Sequence, residues 1–385
     1  FIEPCGYAVP TPNLRRLAQE GVLFRKAYGT APTCSPSRAS LLCGNMPHNN
    51  GLLGLTPRGH FFKNTDQHIT RQLKKLGYTT VLNAPPDFSQ DDVSHDLDIT
   101  PERVRGENSV LDTVLNTTRN ACDFFKSEKA ESPFYMSLGY GPPKGREELT
   151  LPSDQPPVDR RYIRPPAHWP DIPEAHEDWG RFIDAMRLID NQIGEVVQSL
   201  KEAGLYENTL IVCVPDHGPQ SPKGKGTLYE SGNGTFLIMK GPEAFTGGQV
   251  IDALVSQMDV YPSICELLGL DIPEWVEGKS LLPLVNGECE KLHEKLFFEQ
   301  TYHWNYVPVR AVTDGRFKYI RRYYSSREQH LTNCPVSYWH DLGVRNTPLP
   351  QEELFDLLLD QSENHNLIDD KRHQTNVAEL RSALE

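Results

Sequence analysis

Ile183, Met186, Ile189, Ile193, Val196, Val197 and Leu200, then Gly204, then Leu210-Ile211-Val212-Cys213-Val214 running into Pro215-Asp216-His217-Gly218, form the stretch that decides the fold. The apolar residues recur at helical spacing along one face, the glycine breaks the helix, and the five apolar residues that follow predict a buried strand. The same grammar occurs twice upstream. Thr11 stands where a helix can be capped, with Pro12 at its first position and Leu14, Leu17 and Ala18 on one face; Gly21 ends it and Val22-Leu23-Phe24 begins something extended. Thr70 to Leu76, then Gly77 and Tyr78–Leu82, repeat the order, and Phe134–Leu138 is a further β-rich run behind Pro133. Helices alternating with short apolar strands predict an α/β fold with a large, mostly parallel sheet flanked by helices.

Between Gly141 and Pro173 prolines and charges replace periodic apolar residues, which predicts a long surface excursion. From about Glu290 the grammar changes to hairpins: Leu296–Phe298, Val309–Val312 and Phe317–Ile320 read as strands, Asp314-Gly315 as a turn, and Val377–Leu384 as a closing helix. The expected organisation is an α/β unit over 1–289 and a smaller α+β subdomain with an antiparallel sheet over 290–385.

Composition narrows the function classes. The 385 residues carry 39 Lys and Arg against 52 Asp and Glu, a formal charge of −13. That balance opposes general affinity for nucleic acid or acidic membrane, so an anionic substrate needs a local basic pocket. No apolar run approaches the ~20 residues that span a bilayer. The eight cysteines show no short repeating spacing, so neither a zinc ribbon nor a dense disulfide framework is indicated. Compartment stays open between bacterial cytoplasm or periplasm and, for a eukaryotic source, a lysosomal or secretory route.

Chemistry concentrates in three places. Cys34-Ser35-Pro36-Ser37-Arg38, continued by Ala39-Ser40-Leu41-Leu42-Cys43-Gly44, places a cysteine at a helix start beside an arginine, where its thiol should be acidified and reactive. Cys-x-Pro alone fits an idle structural cysteine as well. Asp216-His217 follow the strand end, where open α/β sheets bind ligands, although an Asp there can also be a simple turn former. Lys223-Gly224-Lys225-Gly226-Thr227-Leu228-Tyr229-Glu230 read alone is a solvated turn.

Together these motifs resemble the formylglycine-dependent sulfatase family, within the alkaline-phosphatase-like superfamily, in which Cys-x-Pro-Ser-Arg directs oxidation of the cysteine to formylglycine. The resemblance implies that a formylglycine-generating enzyme converts Cys34 to an aldehyde whose hydrate attacks sulfur. One hydroxyl forms a covalent sulfate ester; the second expels sulfate and restores the aldehyde. Arg38 would hold the hydrate, Asp216 and His217 together with modified Cys34 would ligate Ca²⁺ or Mg²⁺, and His217 and Lys225 would contact sulfate. Substrates would be a sulfated carbohydrate or small sulfate ester, O- or N-sulfated. Self-association as a homodimer is left open.

Thr11-Pro12-Asn13-Leu14, Gly278–Leu284 and Glu353–Leu357 are similar to further family segments. Pro47-His48-Asn49-Asn50-Gly51-Leu52 and Lys225–Tyr229 are closest in flavour to the heparan N-sulfatase (sulfamidase) branch. His48, and His303 among the aromatics of Thr301–Trp304, are the remaining candidates for substrate contact.

Three family features are absent from these 385 residues. The Asp-Asp pair that ends the family's first strand would lie before Phe1. Asn83-Ala84-Pro85-Pro86 stands where Lys-x-His is expected, and Gly141-Pro142-Pro143-Lys144-Gly145 where a histidine is expected. A phosphonate or phosphate ester hydrolase of the same superfamily, and a non-catalytic sulfated-glycan-binding relative, are the alternatives.

Overall fold

A computed structural model describes residues 1–83, 98–99, 110–141, 151–303, 305–323 and 349–385. Ala84–Pro86, Pro142–Gly145, Trp304 and Cys334, which the sequence singles out, lie outside the described residues.

The repeated grammar is realised with shifted ends. Helix α1 (Pro12–Glu20) leads through Gly21 into strand β1 (Val22–Tyr28). Thr11 does not cap α1 with its side chain. The Asp190 carboxylate does so from 176 residues away, accepting from the backbone N–H groups of Asn13 (3.0 Å) and Leu14 (2.8 Å). Thr11 Oγ instead accepts from Glu3 N. After β1 come α2 (Cys34–Cys43), α3 (Pro47–Asn50) and α4 (Ile69–Lys75), then β2 (Thr79–Asn83), α5 (Val110–Phe125) and β3 (Phe134–Leu138). The long helix α6 spans Pro173–Glu202, beginning well before Ile183 because Pro173 supplies the fixed φ suited to a first helical position. It leads to β4 (Ile211–Cys213).

Beyond the site loop come α7 (Glu230–Asn233), β5 (Gly234–Lys240), β6 (Gln249–Ile251), β7 (Val255–Ser256), α8 (Val260–Leu267) and α9 (Leu282–Val285). The main sheet runs β4-β5-β1-β6 with β7 also beside β1. β1 is parallel to β6 and β7, while β5 runs antiparallel to both β1 and β4. The sheet is therefore mixed rather than mostly parallel. β4 returns as β5 through a loop with only a four-residue helix, not the helical crossover a parallel neighbour requires. β2 and β3 form a separate parallel pair.

Leu14, Leu17, Val81, Phe124, Val196, Leu200 and Ile238 pack between the helices and strands. β3 and β4 are half-buried along their whole length, not fully buried as a continuous apolar run predicts. Both line a cavity of 2820 Å³ that reaches Cys34.

The C-terminal sheet is antiparallel in the order β11-β10-β9-β8, from β8 (Leu296–Tyr302), β9 (Tyr306–Thr313), β10 (Phe317–Arg322) and β11 (Glu352–Asp356). Asp314-Gly315 makes the β9–β10 turn: Gly315 takes φ +92° and Asp314 Oδ1 accepts from Arg316 N and Phe317 N. Helix α10 (Gln374–Leu384) covers one face of this sheet with Val377 and Leu380. The other face packs Phe298, Val309 and Phe355 against Tyr28, Leu228 and Tyr229 of the first unit. Among the described residues no helix is long and apolar enough to cross a membrane, and the seven described cysteines are free thiols.

Candidate active site

Two strand exits meet at the site. β1 leaves through Gly29, where a Cβ would sit 3.0 Å from the Asp216 carbonyl oxygen, so the chain after β1 passes directly against the chain after β4. Thr33 is extended and Cys34 is the first residue of α2. Past β4, Gly218 admits no side chain: a Cβ there would lie 1.7 Å from Ser231 O. Close backbone contact thus folds the segment 214–233 over the start of α2.

This packing brings five expected residues together. Cys34 Sγ lies 3.0 Å from Lys225 Nζ and 3.2 Å from His217 Nε2. Arg38 Nη1 donates to Asp216 Oδ2 at 2.5 Å. His217 Nδ1 sits 2.7 Å from Gly218 O, a contact that puts a proton on Nδ1 and fixes the ring with Nε2 toward Cys34. Two residues without a sequence signal of their own complete the support. Ser37 Oγ donates to the Asp216 carbonyl, and Gln257 Nε2 donates to Ser37 O and Oγ at 2.6 Å each. Ser37 was visible only as a letter of the pentapeptide, and Gln257 arrives from the 3-10 turn that follows β7.

The electrostatics suit a reactive group. Burial raises the Cys34 thiol, but the hydrogen bond and charge of His217, with Lys225, outweigh it and hold the pKa at about 6. Burial also opposes ionisation of Asp216 and His217. Their mutual attraction, with Arg38 and Lys225 on the carboxylate and Cys34 on the imidazole, wins in both cases: Asp216 is lowered and His217 raised.

Cys34, Asp216 and His217 offer donor atoms all within 4.8 Å of one another. A hard dication such as Ca²⁺ takes six to eight oxygens. Among the described residues this cluster has one carboxylate, and Arg38 already engages one of its oxygens. These residues alone do not fit Ca²⁺ or Mg²⁺.

The histidines divide. His303 is buried and lines the same cavity as Cys34 and Lys225. His48 is half-exposed and bound to the Glu299 carboxylate at 3.0 Å, away from that cavity's lining.

Comparison with known proteins gives the family. The sulfatase family model matches residues 5–270, and the model of the N-sulphoglucosamine sulphohydrolase C-terminal region matches 223–334. The chain is 28% identical to human N-sulphoglucosamine sulphohydrolase, covering 98% of this chain and 85% of that protein. It is also 28% identical to an ulvan-active sulfatase of Formosa agariphila, covering 93% and 71% respectively. Among solved structures, a 2-O GAG sulfatase superposes with a TM-score of 0.74 at 20% identity, over 97% of this chain and 85% of that one. The phosphonate monoester hydrolase of Silicibacter pomeroyi superposes with a TM-score of 0.73 at 21% identity, over 97% and 89%. These superpositions give the alkaline-phosphatase-like fold, which both chemistries share. With a family model spanning most of its length, the chain belongs to the sulfatase family of sulfuric ester hydrolases.

Proposed function

We propose that this protein hydrolyses sulfate esters or sulfamates of a sulfated carbohydrate, with position 34 acting as nucleophile after oxidation of Cys34 to formylglycine. The observation that carries the reading is Cys34 at the first turn of α2 with Lys225 Nζ and His217 Nε2 both within hydrogen-bond distance of Sγ. The aldehyde hydrate supplies a nucleophile that an unmodified side chain does not.

The neighbours have definable tasks. Lys225 neutralises sulfate oxygens and the charge that develops on the leaving oxygen or nitrogen. His217, held by Gly218 O, accepts a proton at Nε2 and returns it to the leaving group. Arg38, paired with Asp216, keeps that carboxylate oriented and adds positive potential behind the nucleophile. The first turn of α2 adds its dipole. His303, in the wall of the same cavity, would contact the carbohydrate.

The test has two parts. Mass spectrometry of the Cys34 peptide, after co-production with a formylglycine-generating enzyme, should show the aldehyde. Turnover of an aryl sulfate should exceed that of the matching aryl phosphonate monoester. Preference for the phosphonate sinks the sulfatase reading in favour of its superfamily rival. A Cys34 that stays a thiol, with no turnover after added Ca²⁺, leaves only a glycan-binding protein.

A further inference from the structure

Lys223, two residues before Lys225, takes φ +53°, a conformation uncommon for a residue with a side chain. Its ammonium leaves the site and reaches the C-terminal turn, donating to Ser362 O (3.1 Å), to Glu363 O and to Asn364 Oδ1 (3.2 Å). The residue it meets there, Glu363, is also left-handed, at φ +52°, and is buried. Glu363 reaches back: its carboxylate accepts from Glu230 N at 2.5 Å, at the other end of the same loop. The loop 223–230 is thus held at both ends by a turn that contributes nothing to the Cys34 cluster.

Two buried cations strengthen the hold. Lys318, fully buried in β10, donates to Glu230 Oε1 (2.8 Å) and Asn233 Oδ1 (3.0 Å), and Tyr28 at the end of β1 donates to Glu230 Oε2. Tyr229 OH donates to Glu353 and accepts from Arg322 (3.1 Å), while the Lys223 ammonium also stands over the Tyr229 ring. Between these anchors Lys225 N donates to Pro219 O and Gly226 N to Pro32 O, and Thr227 Oγ1 donates to Lys223 O (2.6 Å) and Gly224 O (2.8 Å).

We propose that Lys223 and Glu363 are positioning residues: as a clamp between the C-terminal turn and the loop 223–230, they hold Lys225 at the nucleophile. The clamp's catalytic consequence rests on the proposed role of Lys225, but its structural consequence does not. Strained backbone at both partners is sustained where surrounding contacts over-determine it, and here the Lys223 ammonium on the turn and the Glu363 carboxyl on Glu230 N are among those contacts.

The experiment uses the full chain with Lys223→Met, and Glu363→Ala, which removes the acceptor for Glu230 N, as a second variant should the first not fold. Amide hydrogen exchange at Lys225, Gly226 and Thr227 should rise by about tenfold or more with the global unfolding midpoint held. Turnover of an aryl sulfate should fall by roughly 10–100-fold in kcat, as displacement of a charge by about 1 Å can do. In a Lys225→Ala background Lys223→Met should cost nothing further, and Lys223→Arg should restore most of kcat. Unchanged exchange at the three amides overturns the clamp whatever the activity. Additive loss in the double variant overturns its catalytic role. If the unaltered chain has no turnover, the function reading fails while the exchange measurement still decides the clamp.

Discussion

The cluster around Cys34 and the ion-pair network behind it are built from the same materials and behave oppositely. At the site, Arg38, Lys225 and His217 face one carboxylate and one thiol, on half-buried side chains open to a cavity. In the network, Lys318, Arg322 and Lys223 face Glu230, Glu353 and Glu363, and the core members are sealed. Burial pushes the Glu363 carboxyl up to about 8 even with Lys318 beside it. The site has positive charge to spare; in the network three cations meet three carboxyl groups, and while Lys223, Glu230 and Glu363 edge the same cavity, Lys318, Arg322 and Glu353 do not. The number of charges does not separate a reactive cluster from a structural one, but an unbalanced sign around a nucleophile does.

The largest effect that sharpens this comparison is loss of the nucleophile. Cys34→Ala should lower kcat for an aryl sulfate by roughly 10⁴-fold or more, in line with removal of other covalent nucleophiles, while the urea midpoint stays put. A residual rate within tenfold of the unaltered enzyme would show that Cys34 is a bystander and that the open cluster is no more reactive than the sealed one.

Lys318→Met probes the other side. Removing one partner from a buried network strands the rest, and Glu230 and Glu363 would lose their common cation. The expected cost is about 3–5 kcal/mol in urea unfolding. A loss under about 1 kcal/mol would mean that Tyr28 and the Glu230 amide suffice for these carboxylates, and the network would no longer be the rigid half of the pair.

The two regions also differ in how far the sequence discloses them. Cys34, Arg38, Asp216, His217 and Lys225 announce themselves because each lies in a short motif, and the structure gathers all five. The network's pairings have no such signal: Lys318, Glu353 and Glu363 stand on the C-terminal sheet and turn, and only folding reveals that they face Tyr229 and Glu230. The same limit governs the fold. Helices with a repeating apolar face are legible, as α6 is. β5 is not announced by the helix–glycine–strand pattern, since no such helix precedes it, and its antiparallel course makes the sheet mixed. Thr11 looked sufficient as a cap, yet the distant Asp190 does that work. Long-range pairing is what local spacing cannot encode.

The smallest effect is the most diagnostic of an open, unbalanced site. In protein made without the converting enzyme, Cys34 remains a thiol, and only its thiolate is alkylated. Burial alone would move its midpoint up, as it does for Cys213, pushed to about 12. Because His217 and Lys225 outweigh burial at Cys34, its alkylation rate should instead be half-maximal near pH 6, rising with pH as the thiolate forms. His217→Ala removes the hydrogen bond and the larger opposing charge, so the midpoint should climb toward or beyond the ordinary thiol value of about 8.5. Lys225→Met removes a lesser share and should move it less. Peptide-resolved iodoacetamide kinetics from about pH 5 to 9, a range that brackets both values, measure all three proteins. A Cys34 midpoint near 8.5 in the unaltered chain would mean the cations do not act on Sγ, and that this cluster is electrostatically no different from a neutral surface.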